Sequence, residues 1–153
     1  MNALSRFAEP AYFLLRLIVG LMLACHGLQL ICGMFGGMPG SDKMIIQTGG
    51  WIQLIGGSLV AIGLLTRPAA FLCSGMMAVA YFMFHVASAT TPMAKLLPIA
   101  SAAPQFSNKG ELAVLYCFVF LYVFFRGPGR FSLDSLIWRN KSAAIAPANR
   151  TTV

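Results

Sequence analysis

Seven polar side chains lie within or beside long apolar segments of this 153-residue chain, and these are the groups that could do chemistry. Two of them, His26 and His85, can exchange protons near neutral pH or bond to a carbonyl oxygen, and Glu111 can relay a proton. The other four could contact a ligand: Arg16, Gln29, Gln53 and Asn108. A charged side chain at the middle of a bilayer costs roughly 2.5–3.5 kcal/mol even on lenient insertion scales, so such groups face protein or a wet cavity.

The two histidines fit more than one kind of site. Two imidazoles on separate helices are the minimum for a bis-histidine haem, but no further motif supports haem, and the cysteines are poorly placed for a metal. A buried carboxylate needs a partner, so we expect Glu111 to pair with His85, His26 or Lys109. Two interpretations remain open: these groups bond to one another and hold the helices together, or they line a pocket for a quinone or another small polar ligand.

The composition indicates an integral membrane protein. The chain is 58% hydrophobic and only 10% charged, with a mean hydropathy of +0.77, whereas a soluble domain has about 25% charged residues. Its net charge of +7 comes from basic residues scattered among apolar segments, without a patch of interleaved aromatics. Nucleic-acid binding is therefore not expected, and the bilayer is the expected environment.

Four apolar segments predict an all-α fold, an integral membrane four-helix bundle. At 1.5 Å per residue, about 20 residues cross the hydrocarbon core of a bilayer. The predicted spans are residues 11–32, 51–66, 69–88 and 108–125. A glycine-rich loop separates the first two, and a segment interrupted by three prolines precedes the fourth. A short interfacial helix over 131–139, capped by Ser132, completes a domain at 1–139, and 140–153 form a polar tail.

Basic residues predict how the bundle lies in the membrane. With four spans, both termini lie on one side, and that side collects eight Lys and Arg residues against three on the other. The positive-inside bias then places both termini in the cytoplasm and the protein in the cytoplasmic (inner) membrane. In this orientation Arg16 lies toward the inner half. The other six polar residues converge on the outer half: His26, Gln29, Gln53, His85, Asn108 and Glu111.

Several sequence stretches resemble the DoxX family of small four-span membrane proteins. They are RLIVGLMLACHGLQ, WIQLIGGSLVAIGLLTRPAA, MMAVAYFMFH and NKGELAVLYCFVFLYVFFRGPGRFSLD, which together cover about Arg16 to Asp134. The resemblance implies a redox or quinone neighbourhood, because the family is named after a membrane component associated with thiosulfate:quinone oxidoreduction and a terminal oxidase. Other members are linked to oxidative-stress complexes.

Two departures from the family pattern bear on the function. Leu30 stands where family members often carry a lysine, and Gln53 stands where they often carry a glutamate. The loss of this charge pair keeps a neutral pocket and favours a binding or scaffolding role over proton-coupled catalysis. We therefore expect a quinone- or redox-linked component. The alternative is a non-catalytic subunit that packs against a larger electron-transfer complex or forms a homo-oligomer, and a solute transporter is a third, less favoured hypothesis.

Overall fold

The computed structural model describes residues 3–37, 43–99, 101, 103 and 107–138. Its α-helices include α1 (Ala8–Cys32), α2 (Met44–Ile62), α3 (Thr66–Ala80), α4 (Pro92–Leu96) and α5 (Glu111–Arg126). A 3-10 turn at Ala3–Phe7 leads into α1, a second one at Met34–Gly36 follows it, and a π-helical segment at Tyr81–Val86 continues α3. Residues 133–138 are also helical, and none of these ranges forms a strand. The predicted polar tail lies outside the described residues.

Three helical segments are long and apolar enough to cross a membrane: Ser5–Cys32, Met44–Ile62 and Thr66–Val86. The fourth predicted span corresponds to α5, which has 16 residues and is therefore about 24 Å long, against about 30 Å for a bilayer core. The all-helical fold is confirmed. That α5 crosses the membrane stays a prediction.

Glycines bring α1 and α2 into close antiparallel contact. A Cβ atom added to Gly20 would lie 2.6 Å from the Gly57 carbonyl oxygen, and one added to Gly27 would lie 2.6 Å from the Gly50 carbonyl oxygen. Real side chains do not approach backbone atoms so closely, so only glycine permits this separation of the helices. Small residues let membrane helices approach until their backbones touch.

The second helix differs from the predicted span at its start. It begins at Met44 rather than Trp51, because Gly49 and Gly50 lie inside the helix and pack against its neighbours. Gly49 faces the Met76 side chain of α3, whereas Gly50 faces α1. The glycines that predict a loop are therefore packing residues of α2.

The turn from α2 to α3 also lies earlier than predicted. The second helix ends at Ile62, and Gly63 follows with φ 76° in the left-handed region that glycine adopts without strain. The third helix begins at Thr66, so residues 66–68, where the predicted second span ends and the third has not begun, form its first turn. Proline is tolerated there because the first backbone N–H groups of a helix have no partner within the helix.

The third and fifth helices form a second antiparallel pair. The Ser74 hydroxyl donates to the Cys117 carbonyl oxygen at 2.8 Å, and the Phe71 and Phe124 rings lie 5.4 Å apart. This pair packs on α1 and α2 through contacts between α2 and α3. The buried core draws on α1, α2, α3 and α5: Tyr12, Leu23, Val60, Ala69, Ala70, Cys73, Met77, Phe120 and Val123.

Candidate functional site

The first histidine pairs with an amide across the contact between α1 and α2. His26 Nδ1 lies 2.6 Å from Gln53 Oε1. Gln53 is 1% exposed, whereas His26 is half-buried. The bond depends on the glycine contact beside it, because Gly27 and Gly50 remove the side chains that would otherwise separate the two backbones. The structure therefore brings together two of the residues that the sequence predicts as site members.

The second histidine bonds to the loop that leads into α5. His85 Nδ1 lies 2.9 Å from the Asn108 backbone carbonyl oxygen. The buried Asn108 side chain bridges two further groups: its Nδ2 donates to the Tyr81 hydroxyl at 3.2 Å, and its Oδ1 accepts from the Gly110 N–H at 2.8 Å. Tyr81 also stacks on His85, with ring centroids 6.4 Å apart.

A change of helix type places Tyr81 and His85 together. The backbone from Tyr81 to Val86 is π-helical, and the Ala87 N–H donates to the Phe82 carbonyl oxygen at 3.2 Å. Wide helical turns of this kind are rare and occur frequently at functional sites. The sequence suggests Tyr81 only as part of an aromatic run beside His85; its bond to Asn108 requires the structure.

Two other predicted members take positions that the sequence does not specify. Gln29 is half-buried, one turn beyond His26 on α1. Glu111 is exposed in the first turn of α5, where the dipole at the start of a helix favours a carboxylate. The Glu111 side chain is exposed rather than buried, and its expected pairing with His85, His26 or Lys109 stays a prediction.

Arg16 lies at the opposite end of the bundle from the histidines. It is ten residues before His26 on the same helix, or about 15 Å along the axis. The side chain is fully buried. Its Nη2 donates to the Phe131 carbonyl oxygen at 2.6 Å, while Nε and Nη1 are buried and have no hydrogen-bond partner in the described part of the chain. Arg16 therefore belongs to a different cluster from the other predicted site residues.

The segment after α5 returns to this end of the bundle and holds the start of α3. The buried Asp134 carboxylate accepts from the Leu65 N–H, the Thr66 N–H and the Thr66 hydroxyl at 2.9, 2.9 and 2.8 Å. These are N–H groups that a helix start leaves unpaired. Ser132 caps the helical residues 133–138, with its Oγ accepting from the Ser135 N–H at 3.1 Å, as the sequence predicts.

The start of α1 is tied to the same segment. The Tyr12 hydroxyl donates to the Gly127 carbonyl oxygen at 2.5 Å, and the Arg126 guanidinium lies over the Tyr12 ring, 4.5 Å from its centroid. Arg126 also forms an ion pair with Glu9 at 2.5 Å. The sequence predicts basic residues on this side but not this network, because the bonds join residues more than 100 positions apart.

The described residues thus contain two polar clusters. We call the first the histidine end; its members are His26, Gln53, Tyr81, His85 and Asn108. We call the second the arginine end; its members are Glu9, Tyr12, Arg16, Thr66, Arg126 and Asp134. The described part of the chain contains no group of three or more His, Cys, Asp or Glu residues that could hold a metal ion.

Comparison with known proteins identifies the family. A family model described as DoxX matches residues 11–86. The chain belongs to the DoxX family. This DoxX protein is 36% identical over 143 residues to an uncharacterized protein of Haemophilus influenzae, an alignment that covers 91% of this chain and 99% of the relative. No solved structure gives a significant match.

Proposed function

We propose that this DoxX protein is a four-span protein of the inner membrane whose histidine end binds the headgroup of a quinone. The observation that carries the proposal is that each histidine ring hydrogen-bonds to the bundle through Nδ1. Among the described residues, Nε2 of each ring has no hydrogen-bond partner. Each ring is therefore oriented by the protein and keeps one nitrogen for a ligand.

The tautomer of His85 follows from its partner. A backbone carbonyl can only accept, so His85 Nδ1 must carry the proton that it shares with Asn108. In the neutral ring Nε2 is then an acceptor. An acceptor at this position suits the hydroxyl of a reduced quinone, and protonation of the ring turns the same nitrogen into a donor for the carbonyl of the oxidised form.

The His26 and Gln53 pair offers both kinds of bond at once. If Gln53 Oε1 accepts from Nδ1, then His26 Nε2 is an acceptor and the Gln53 amide nitrogen is a donor. If the amide is turned over, the donor and the acceptor exchange places. Neither group has a second hydrogen-bond partner among the described residues. A quinone headgroup, which presents carbonyl or hydroxyl oxygens, matches such a pair.

The other predicted residues have different parts in this proposal. Glu111, exposed at the start of α5, would exchange protons with the medium outside the membrane. Gln29 and Asn108 would border the headgroup. Arg16 is not part of the quinone site, because it lies about 15 Å from His26 along the axis of α1.

The proposed topology makes α5 the fourth span and places both termini in the cytoplasm. Its support is the antiparallel packing of α5 on α3 along most of its length, from Phe124 against Phe71 to Gly110 against the Tyr81 ring. The excess of basic residues at the arginine end favours the cytoplasmic side for that end.

An accessory subunit of a larger electron-transfer complex is the second candidate function. The two Nδ1 hydrogen bonds support this alternative. His26 links α1 to α2, and His85 links the π-helical end of α3 to the loop before α5, so both histidines can hold the bundle together without a ligand. In that case the partner would be another membrane subunit or a second copy of the chain.

Purification in mild detergent, followed by mass-spectrometric measurement of bound quinone and added decylubiquinone, tests the proposal. We expect the wild-type protein to retain quinone. Each of the variants His26→Leu and His85→Leu should bind decylubiquinone about five- to thirtyfold more weakly, as expected for the loss of one hydrogen bond of about 1–2 kcal/mol. Ser58→Ala is the matched control, since that exposed hydroxyl bonds only to the Leu54 carbonyl oxygen of its own helix.

Two results would contradict quinone binding. One is a wild-type protein that carries no quinone and binds none when it is added. The other is binding that both histidine variants retain unchanged. Co-purification of a stoichiometric larger complex, lost in the histidine variants and free of quinone on this chain, would support the accessory subunit instead.

A further inference from the structure

An apolar groove of about 310 Å³ lies at the arginine end, outside the helix bundle core. Its walls come from the start of α1, the end of α2 and the residues after α5. Most of the lining is apolar: Phe13, Ile62, Phe131, Leu133 and Leu136. Arg130 and Ser132 supply the polar part of the lining.

The charge beside the groove is positive and unneutralised. The Arg130 side chain is exposed, and its guanidinium makes no hydrogen bond or ion pair among the described residues. The two carboxylates of this end are already engaged: Glu9 pairs with Arg126 and accepts from the Arg130 N–H, and Asp134 accepts three bonds from α3 and the residue before it. A ligand with a negative charge would therefore find no competing anion at Arg130.

A second guanidinium behind the groove adds to this preference. Arg16 bonds to the Phe131 carbonyl oxygen, one residue along the chain from Arg130, and its buried Nε and Nη1 have no hydrogen-bond partner among the residues that the structure describes. An incompletely paired buried cation is costly. The Asp134 carboxylate offsets part of the Arg16 charge, and a further negative charge bound at Arg130 would act in the same direction.

We propose that this groove binds an anionic phospholipid from the leaflet at the arginine end. One acyl chain lies against Phe131 and Leu136, and the phosphate accepts from the Arg130 guanidinium, whose planar fork matches phosphate oxygens. An apolar groove with an unpaired cation at its edge complements the acyl chain and the negatively charged headgroup of such a lipid. A second copy of this chain suits it less well, because it would add another net charge of +7.

Lipid titration of the intact protein in detergent, read by native mass spectrometry, tests this site separately from the histidine end. The probes are phosphatidylglycerol, which carries a net negative charge, and phosphatidylcholine, which does not. Detergent removes the general attraction of a charged membrane surface, so only a specific site remains. We expect phosphatidylglycerol to bind more tightly than phosphatidylcholine, and Arg130→Ala to weaken the former about fivefold.

Three further variants distinguish a site from an effect of net charge or of misfolding. Arg130→Lys keeps the charge and should retain most of the binding. Arg6→Ala loses the same charge at the same end. The Arg6 guanidinium lies over the Phe7 ring and does not line the groove, so this variant should bind as wild type. Leu136→Trp fills the groove and should weaken both lipids.

Each contrary result would overturn the proposal. Equal binding of the two lipids would remove the role of the headgroup charge. Equal losses in Arg130→Ala and Arg6→Ala would show a general charge effect, and wild-type binding by Arg130→Ala would exclude Arg130. A dimer that Leu136→Trp dissociates would show that a second copy occupies the groove. None of these outcomes bears on quinone binding at the other end.

Discussion

The two carboxylates at the arginine end differ in burial, and burial decides how much each contributes to stability. The side chains of Glu9 and Arg126 are each 32% exposed, so solvent screens their ion pair, and such pairs contribute about 0–1 kcal/mol. Asp134 is 8% exposed and accepts three hydrogen bonds at the start of α3. Removal of the Asp134 carboxylate would leave those donors without an acceptor.

We therefore expect Asp134→Ala to lower the free energy of unfolding by about 2–3 kcal/mol, since it combines the loss of a helix cap with unsatisfied donors. Glu9→Gln, the control at the same end, should cost less than about 1 kcal/mol. Unfolding of the purified variants in detergent, followed by circular dichroism, measures both. Equal losses of stability would show that the bonds to the start of α3 have no special importance.

At the residue scale, sequence reasoning identifies the polar groups but not their surroundings. It finds His26 and Gln53 because both interrupt apolar segments, and the structure joins them. It expects Glu111 to be buried because the residue adjoins an apolar segment, whereas the side chain faces outward in the first turn of α5. The direction of a side chain near a helix end depends on where the helix begins, which the sequence does not specify to within a turn.

Glycine contacts between α1 and α2 lead to a prediction at the scale of elements. A Cβ at position 57 would lie 2.6 Å from the Gly20 carbonyl oxygen, so Gly57→Ala must separate the helices. We expect a loss of about 1–3 kcal/mol, as for other overpacked sites. Gly75→Ala is the matched control in α3, because nothing lies within 4 Å of its added methyl group, and alanine favours a helix over glycine by up to about 1 kcal/mol.

Thermal unfolding in detergent separates the two glycine variants. The midpoint should fall for Gly57→Ala and stay level or rise for Gly75→Ala. If Gly57→Ala matched its control, the close approach of α1 and α2 would not contribute to stability. Binding of decylubiquinone gives a second readout, since Gln53 and His26 meet across the same contact.

Glycines recur at seven-residue spacing in α2, as Gly49 and Gly56 and as Gly50 and Gly57, a pattern typical of a close helix contact. The spacing does not reveal that α2 has two such faces. Gly50 and Gly57 approach α1, whereas Gly49 and Gly56 approach Met76 and Cys73 of α3. Successive residues of a helix point about 100° apart, so adjacent glycines serve different neighbours. The sequence alone does not name those neighbours, because both flanking helices are apolar.

The topology of the whole molecule can be tested with reporters of location. We expect green fluorescent protein fused after Trp138 to fluoresce, and alkaline phosphatase fused at Ala89 to be active, because the first requires the cytoplasm and the second requires the exterior. If α5 does not cross the membrane, fusions at both positions will report the same side. A fusion at Phe7 is the control, since it should agree with the fusion after Trp138 in a four-span protein.

At the scale of the molecule, composition and hydropathy predict an all-helical membrane protein, and the number of spans depends on a single short helix. The 16 residues of α5 leave its crossing undecided by length alone. The separation into a histidine end and an arginine end follows from antiparallel order along the chain. The sequence does not show that residues after α5 bond to the start of α1 at the arginine end. No periodic pattern marks hydrogen bonds between residues 115 positions apart.

The bonds that close the arginine end also set an order of events during synthesis. Tyr12 and Arg16 find their partners in Gly127 and Phe131, each 115 residues further along the chain. At about 5–20 residues per second, the ribosome adds those partners roughly 6–23 s later. Throughout that interval the Arg16 guanidinium lacks its final acceptor. The N–H groups of Leu65 and Thr66 at the start of α3 lack theirs for a shorter time, since Asp134 follows them by 69 and 68 residues. A nascent chain that stops before Phe131 therefore leaves the Arg16 guanidinium without its acceptor. One that stops before Asp134 leaves the N–H groups of Leu65 and Thr66 without theirs.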